Sequence, residues 1–359
     1  MVNKSFWRNK KVLVTGHTGF KGSWLITWLL SLEAEVWGYS LEADKESLFN
    51  SIRNDLGGKL IHYEEDILNL NKLNKFIESC QPDVIFHLAA QSLVRKSYLE
   101  PVNTWNVNVI GSLNLLEATK NLKSKCAIVM ITTDKVYKNR EWLYGYREND
   151  QLGGVDPYSS SKAGAEIAIS SWRSSFCGNS NNQNSNIHIS TARAGNVIGG
   201  GDWAVDRIIP DLIKALKKKE TVIIRNPNST RPWQHVLEPL TGYLILAEKL
   251  YYKPEIYSEA FNFGPDKINN KRVQDLVELV LSIWPGEWNI SPEKETPHEA
   301  GLLHLQSDKS AAMLKWKSIW GFETTIRKTI NWYKEVYEGK NPFKKCMEDI
   351  IEYERNLIS

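Results

Sequence analysis

Lys11-Val12-Leu13-Val14-Thr15-Gly16-His17-Thr18-Gly19-Phe20-Lys21-Gly22 is the stretch that decides the fold. Its first five residues are a short buried-strand pattern, and residues 23–32 are apolar at helical spacing. Between them stand three glycines spaced G-x-x-G-x-x-G, a departure from the commoner dinucleotide form G-x-G-x-x-G. Strand, glycine turn and helix are what a pyrophosphate needs: the glycines permit close backbone approach, and the helix amino end attracts the anion. Gly16, His17, Thr18, Gly19, Phe20, Lys21 and Gly22 are therefore candidate cofactor contacts.

Working outward, the pattern repeats. Residues 35–39, 60–63 and 84–90 read as strands, residues 103–121 as a helix, and Ala127-Ile128-Val129-Met130-Ile131 as the central strand. Such alternation predicts an α/β fold, a parallel sheet with helices on both faces. A NAD enzyme commonly has an acid at the end of the second strand. Here Ser40 and Leu41 stand there, with Glu42 and Asp44 slightly late, so this position leaves NAD and NADP open.

The central strand runs into Thr132-Thr133-Asp134-Lys135. That places an acid and a base just past a carboxyl strand end, where open α/β sheets hold ligands. Pro157 suits a first helical position, and Tyr158 and Lys162 share a face of the helix it opens. A lysine near the phenol favours the phenolate and makes tyrosine a usable base.

Beyond residues 187–193, another strand, lies the glycine-rich turn Ala194-Gly195-Asn196-Val197-Ile198-Gly199-Gly200-Gly201-Asp202, read as a substrate loop. Arg207, Arg225 and Arg231 lie in adjacent irregular segments, and their bidentate donors suit a diphosphate. The polar stretch 177–186 reads as an exposed loop, to which no function is assigned.

Composition bounds the rest. A chain of 359 residues can bury a large core in one big domain or two intimate ones. Lys plus Arg number 45 against 42 for Asp plus Glu, which gives no electrostatic case for nucleic acid. Cys80, Cys126, Cys177 and Cys346 are scattered, so neither a disulfide frame nor a metal site is expected. No apolar run approaches the ~20 residues that span a bilayer, and residues 1–8 lack a signal-peptide core. The expectation is a soluble, cytoplasmic protein.

Thr15-Gly16-x-x-Gly19-x-x-Gly22 with Tyr158-x-x-x-Lys162 resembles the extended short-chain dehydrogenase/reductases, which act on nucleotide sugars. Thr133-Asp134 followed by an ionisable residue resembles the nucleotide-sugar dehydratases among them. Dehydratases of dTDP-glucose carry Thr-Asp-Glu there. Thr-Asp-Lys, together with the phrases Gly16-His17-Thr18-Gly19-Phe20-Lys21-Gly22-Ser23-Trp24 and Arg231-Pro232-Trp233-Gln234-His235-Val236, is similar to the branch acting on CDP-glucose.

The resemblance implies a Rossmann-like NAD-binding domain over residues 1–195, with residues 232–262 packing back onto it. It implies a smaller mixed α/β sugar-nucleotide domain over residues 196–359. NAD is the implied cofactor, recycled within each turnover; CDP-glucose is the implied substrate, and a homo-oligomer, dimer or tetramer, the implied assembly. Asp66 and Ile67 would lie at the adenine, and Leu88, Ala89 and Gln91 along the cofactor channel, with Asn108, Thr132 and Arg193 completing the cofactor set. Asn196, Arg207 and Arg231 would meet the diphosphate, joined by Arg225, Trp233 and His235 as substrate candidates. Tyr158, supported by Lys162 and Thr133, would be the first base. Asp134 and Lys135 would be the acid and base of elimination. A lysine base has to be neutral, against a reference pKa of about 10.4. Burial favours this, and an Asp134 already protonated for its acid role does not oppose it. A 4-epimerase or reductase on the same fold needs Tyr158 and Lys162 but not Asp134 and Lys135. A non-catalytic NAD sensor tends to lose the tyrosine or the lysine.

Overall fold

The computed structural model describes residues 2–177, 186–291 and 302–358; most of the polar loop at 177–186 lies outside them. Six parallel strands come first: β1 (Lys11–Thr15), β2 (Glu35–Ser40), β3 (Leu60–Glu64), β4 (Val84–His87), β5 (Cys126–Ile131) and β6 (Ile187–Ala194). A seventh, β7 (Ala260–Phe263), joins from far along the chain, giving the order β7-β6-β5-β4-β1-β2-β3. Every pairing is parallel, for example Val14 opposite Gly38 and Phe86, and Phe261 opposite Ala192.

Side-chain alternation sorts these strands between two cores. Val12, Val14, Phe86, Val129 and Ala192 pack into one; Leu13, Ile85, Ile128, Met130 and Ile189 pack into the other. The first core receives α1 (Phe20–Ser31), through Trp24, Leu25, Trp28 and Leu29. The second receives α2 (Leu70–Cys80), through Leu73, Phe76 and Ile77, and α3 (Pro157–Phe176), through Ala165 and Ile169. Strands buried on both faces read as unbroken apolar runs, as β5 does.

The second half of the chain adds α4 (Ile208–Lys218), α5 (Leu237–Tyr252), α6 (Phe322–Tyr337) and α7 (Pro342–Asn356). It shares its core with the first half. α5 packs on β5 and β6, and the first core runs from Phe6 to Tyr353. Glu238, at the start of α5, accepts the amides of Ile319 (3.1 Å) and Trp320 (2.7 Å) and the Tyr353 phenol (2.6 Å). Trp28 of α1 donates its indole N–H to Glu354 of α7 at 2.7 Å.

Two sequence expectations change in detail. The fourth strand stops at His87, and residues 88–90 leave the sheet to line the central cavity. The helix expected at 103–121 is observed over residues 101–119, with a π turn at Asn106–Ile110. Asn108, inside that turn, bonds Gln91 and Ser161, a tertiary tie that accompanies the bulge. Among the described residues no helix is long and apolar enough to cross a membrane, and no group of His, Cys, Asp and Glu could hold a metal.

Candidate active site

The carboxyl ends of the strands open onto one cavity of about 640 Å³. The glycine turn forms one wall. Gly16 has φ +73°, and a Cβ there would sit 2.6 Å from the Ala89 nitrogen. A Cβ on Gly22 would lie 2.2 Å from the Gly16 carbonyl oxygen. Only glycine lets β1, the β4 end and α1 approach this closely. Gly19 caps α1 without a side-chain bond, so the opening amides of the helix remain available to an anion. Thr18 bonds Ser40 (2.7 Å) and the Leu41 carbonyl (3.1 Å), and Ser40, Leu41, Asp66, Ile67, Leu88 and Ala89 continue the wall. Glu42 and Asp44 are exposed and do not line it. The free helix amides and the close-packed glycine cradle, with Lys21 on the same wall, fit a dinucleotide diphosphate.

Thr132, Thr133, Asp134, Lys135, Tyr158 and Lys162 meet on the same cavity. Thr133 donates its hydroxyl to the Asp134 carboxylate at 2.9 Å and accepts the Lys135 amide at 3.3 Å. Asp134 is buried, and desolvation raises its pKa; Lys135, Thr133, Arg231 and Lys21 oppose the rise. Gly195 makes room for it, since a Cβ there would come 2.7 Å from the Asp134 carboxylate oxygen Oδ2.

Burial pushes the Tyr158 phenol up to about 12, countered by its hydrogen bond with Thr133 and by Arg207, and reinforced by Asp134. Burial also pushes Lys162 down to about 8, with Glu166 opposing. Its ammonium donates to the Ile131 carbonyl at 3.2 Å. The expected phenolate support from Lys162 is not what dominates the phenol in this state; burial is. The remaining substrate candidates Asn196, Arg207, Arg225, Arg231 and Trp233 also line the cavity. Arg207 is held by Asp202 (2.8 Å) and Ser92 (3.3 Å), and Arg225 reaches Asp206 at 3.4 Å.

Five candidates stand behind the wall and not on it. His17 turns under the glycine turn, its ring over Gly38 and 2.6 Å from His62. Burial drives its pKa down to about 3. Gln91 and Asn108 satisfy each other, the Gln91 amide donating to Asn108 Oδ1 at 2.9 Å. Arg193 is paired with Glu166. His235 lies in the core between Trp24 and Trp320, because its short strand Gln234–His235 pairs with Val197–Ile198. These five do not line the cavity; each is held by a neighbour behind the wall. Asp202 and Ser92, which hold Arg207, went unassigned in the sequence, although Asp202 closes the glycine-rich turn singled out there.

Comparison with known proteins agrees with this geometry. The model of the GDP-mannose 4,6 dehydratase family matches residues 13–329. A Salmonella typhimurium protein named CDP-glucose 4,6-dehydratase is 44% identical over 357 residues, covering 98% of each chain. A probable dTDP-glucose 4,6-dehydratase of Sinorhizobium fredii is 27% identical, over 90% of this chain and 93% of the relative. Among solved structures, an epimerase of Methanothermobacter thermautotrophicus superposes with TM-score 0.78 at 20% identity, covering 93% of this chain and 95% of that one. The dTDP-glucose 4,6-dehydratase of Bacillus anthracis, solved with NAD, gives 0.74 at 21%, covering 92% and 99%. With a glycine cradle, a Tyr158–Lys162 helix and an acid turn on one cavity, and a match over most of its length, the chain belongs to the GDP-mannose 4,6 dehydratase family, within the extended short-chain dehydrogenase/reductases.

Proposed function

We propose that the chain is a dehydratase that converts CDP-glucose to CDP-4-keto-6-deoxyglucose and water, with NAD as resident cofactor. The observation that carries the reading is Asp134. Burial favours its protonated form, and it sits beside Lys135 on the cavity that Tyr158 lines. An acid and a base one residue apart at that position serve an elimination, which an epimerase does not perform. The 44% identical relative supports the nucleotide assignment.

The cradle of residues 16–22 would hold the cofactor diphosphate, and Asp66, Ile67, Leu88, Ala89 and Thr132 its remaining length. When bound, NAD supplies reversible hydride uptake beside a positively charged ring, which leaves the overall reaction redox-neutral. Tyr158 takes the proton of the carbon 4 hydroxyl, with Thr133 positioning that hydroxyl and Lys162 supplying positive charge nearby. The ketone at carbon 4 acidifies the hydrogen on carbon 5. Lys135 removes it while Asp134 protonates the carbon 6 hydroxyl, which leaves as water. Lys135 then returns a proton to carbon 5 as carbon 6 receives the hydride that left carbon 4, so that atoms and electrons balance. Arg207, Arg225 and Arg231 would hold the substrate diphosphate, with Asn196 and Trp233 beside them.

On this reading the residues given to the cofactor lie before residue 195 and those given to the substrate diphosphate lie after it, while the catalytic residues 133–162 meet the sugar from the cofactor side. We also infer a homo-oligomer, dimer or tetramer, working in the cytoplasm. Leu99 (83% exposed), Val102 (72%) and Ile167 (61%) leave apolar surface on packed helices, and association would cover it. A sedimentation mass equal to one chain would overturn the oligomer.

The reading is tested on CDP-, UDP-, dTDP- and GDP-glucose at equal concentration, following the 4-keto product. CDP-glucose should turn over at least ~10-fold faster than any other, the discrimination that about 1.4 kcal/mol of base contacts provides. Equal rates on all four would remove the cytidine assignment.

A further inference from the structure

Arg193, expected at the cofactor, instead faces Glu166 behind the wall, and the two are 4% and 3% exposed. The Glu166 carboxylate accepts the hydroxyls of Thr132 (2.5 Å) and Thr191 (2.9 Å) together with Nε (3.0 Å) and Nη2 (2.8 Å) of Arg193. Arg193 directs its remaining nitrogen, Nη1, to the Tyr137 phenol (2.8 Å) and the Glu148 carbonyl (2.9 Å). Tyr137 donates onward to Asn262 at 2.7 Å, and its ring stacks on Tyr146 with centroids 5.2 Å apart.

Thr132 immediately precedes the four residues Thr133, Asp134, Lys135 and Val136, and Tyr137 immediately follows them. The chain leaves the sheet at this point. Its last ladder bond is the Thr132 amide to the Ala192 carbonyl at 2.9 Å. The backbone amides inside the turn make long bonds, 3.3 Å from Lys135 to the Thr133 hydroxyl and 3.4 Å from Val136 to the Thr133 carbonyl. The shorter ties are the 2.9 Å side-chain bond from Thr133 to Asp134 and, from outside, the Gly153 amide to the Val136 carbonyl at 2.8 Å. A turn so weakly tied to itself takes its shape from outside. A buried ion pair is a poor source of net stability, since an apolar pair of equal volume often packs as well. What Glu166 and Arg193 add is direction: a planar fork and a carboxylate with every bond assigned.

We propose that the Glu166–Arg193 pair is a clamp on the Thr133–Val136 turn, gripping it through Thr132 on one side and Tyr137 on the other. It fixes the spacing of Asp134 and Lys135 for the elimination. Thr132, Tyr137, Glu166 and Arg193 are then positioning residues, acting through the turn. The proposal rests on the acid and base roles given above to Asp134 and Lys135. It weighs on the two halves of the reaction unequally, because oxidation at carbon 4 draws on the turn through Thr133 alone, whereas elimination draws on Asp134 and Lys135 together.

The test uses the full-length chain with Tyr137→Phe, which keeps the stacked ring, Thr132→Val, which keeps the shape, and Thr132→Ser, which keeps the hydroxyl. Tyr137→Phe should slow loss of water by ~10-fold or more with KM unchanged and with a smaller effect on oxidation at carbon 4, as expected for misplacement by a fraction of an ångström. Thr132→Val should slow loss of water more than it slows that oxidation. Thr132→Ser should restore the wild-type rate. Amide hydrogen exchange without substrate gives a second readout. The amides of residues 133–137 should exchange faster in Tyr137→Phe and Thr132→Val but not in Thr132→Ser, while β1 and β4 keep their protection. Unchanged exchange in the turn, or equal loss of both half-reactions, overturns the clamp. A wild-type chain that dehydrates none of the four sugar nucleotides overturns the acid and base roles instead, and leaves the exchange result to judge the clamp.

Discussion

Tyr158→Phe should lose turnover by ~10²–10⁴-fold, the usual worth of a positioned base, and should lose it at the first step. The phenol lines the cavity together with Thr133 and Lys162, where the reading above gives it the proton of the carbon 4 hydroxyl. Removing one oxygen leaves the ring in its packing, so the fold and substrate affinity should hold. Single-turnover mixing should therefore show neither the 4-keto-glucose nucleotide nor the near-ultraviolet signal of reduced nicotinamide. Because burial holds this phenol up to about 12 in the free chain, the wild-type first step should quicken as pH rises, until other groups titrate. Tyr158→Phe should lack that rise. A variant that still oxidises carbon 4 at the wild-type rate would assign the base to another residue.

Asp134→Asn and Lys135→Ala should fail later. Tyr158 is untouched in both, so oxidation at carbon 4 proceeds and the 4-keto-glucose nucleotide accumulates on the enzyme. Elimination then stalls by ~10²–10⁴-fold, because the leaving hydroxyl lacks a proton or carbon 5 lacks a base. Deuterium oxide separates the two. Asp134→Asn keeps its base and should exchange the carbon 5 hydrogen without losing water, whereas Lys135→Ala should do neither. Wild-type water loss by Lys135→Ala would place the base of elimination on another residue. The sign of the acid's behaviour follows from its surroundings: burial raises the Asp134 pKa, so its protonated form persists to higher pH than an exposed aspartate allows.

Local chemistry made much of this legible before any coordinates. The strand, three glycines and helix at residues 11–32 stand as the sequence predicts, because close backbone approach is a property of glycine itself. Tyr158 and Lys162 share a face because helical spacing dictates it. What stayed hidden depends on partners distant in sequence. β7 is four residues long, and its pairing with β6 spans about seventy positions, so no periodicity announces it. His17 sits in the glycine turn yet faces His62. Arg193 stands one residue before the end of a strand aimed at the cavity yet turns to Glu166, and His235 lies in a phrase specific to the family yet serves the core. In each case the motif located the backbone correctly, and a tertiary neighbour chose the direction of the side chain.

The joining of α1 to α7 has a consequence for biosynthesis. Trp28 is made about three hundred codons before its covers, Tyr353 and Glu354, and Trp24 about two hundred before the His235 ring that packs on it. Until then a half-made chain presents two indoles and an incomplete sheet, the kind of surface that chaperones bind and that aggregates when they are scarce. Expression of residues 1–195 alone would hold the chain in that state indefinitely.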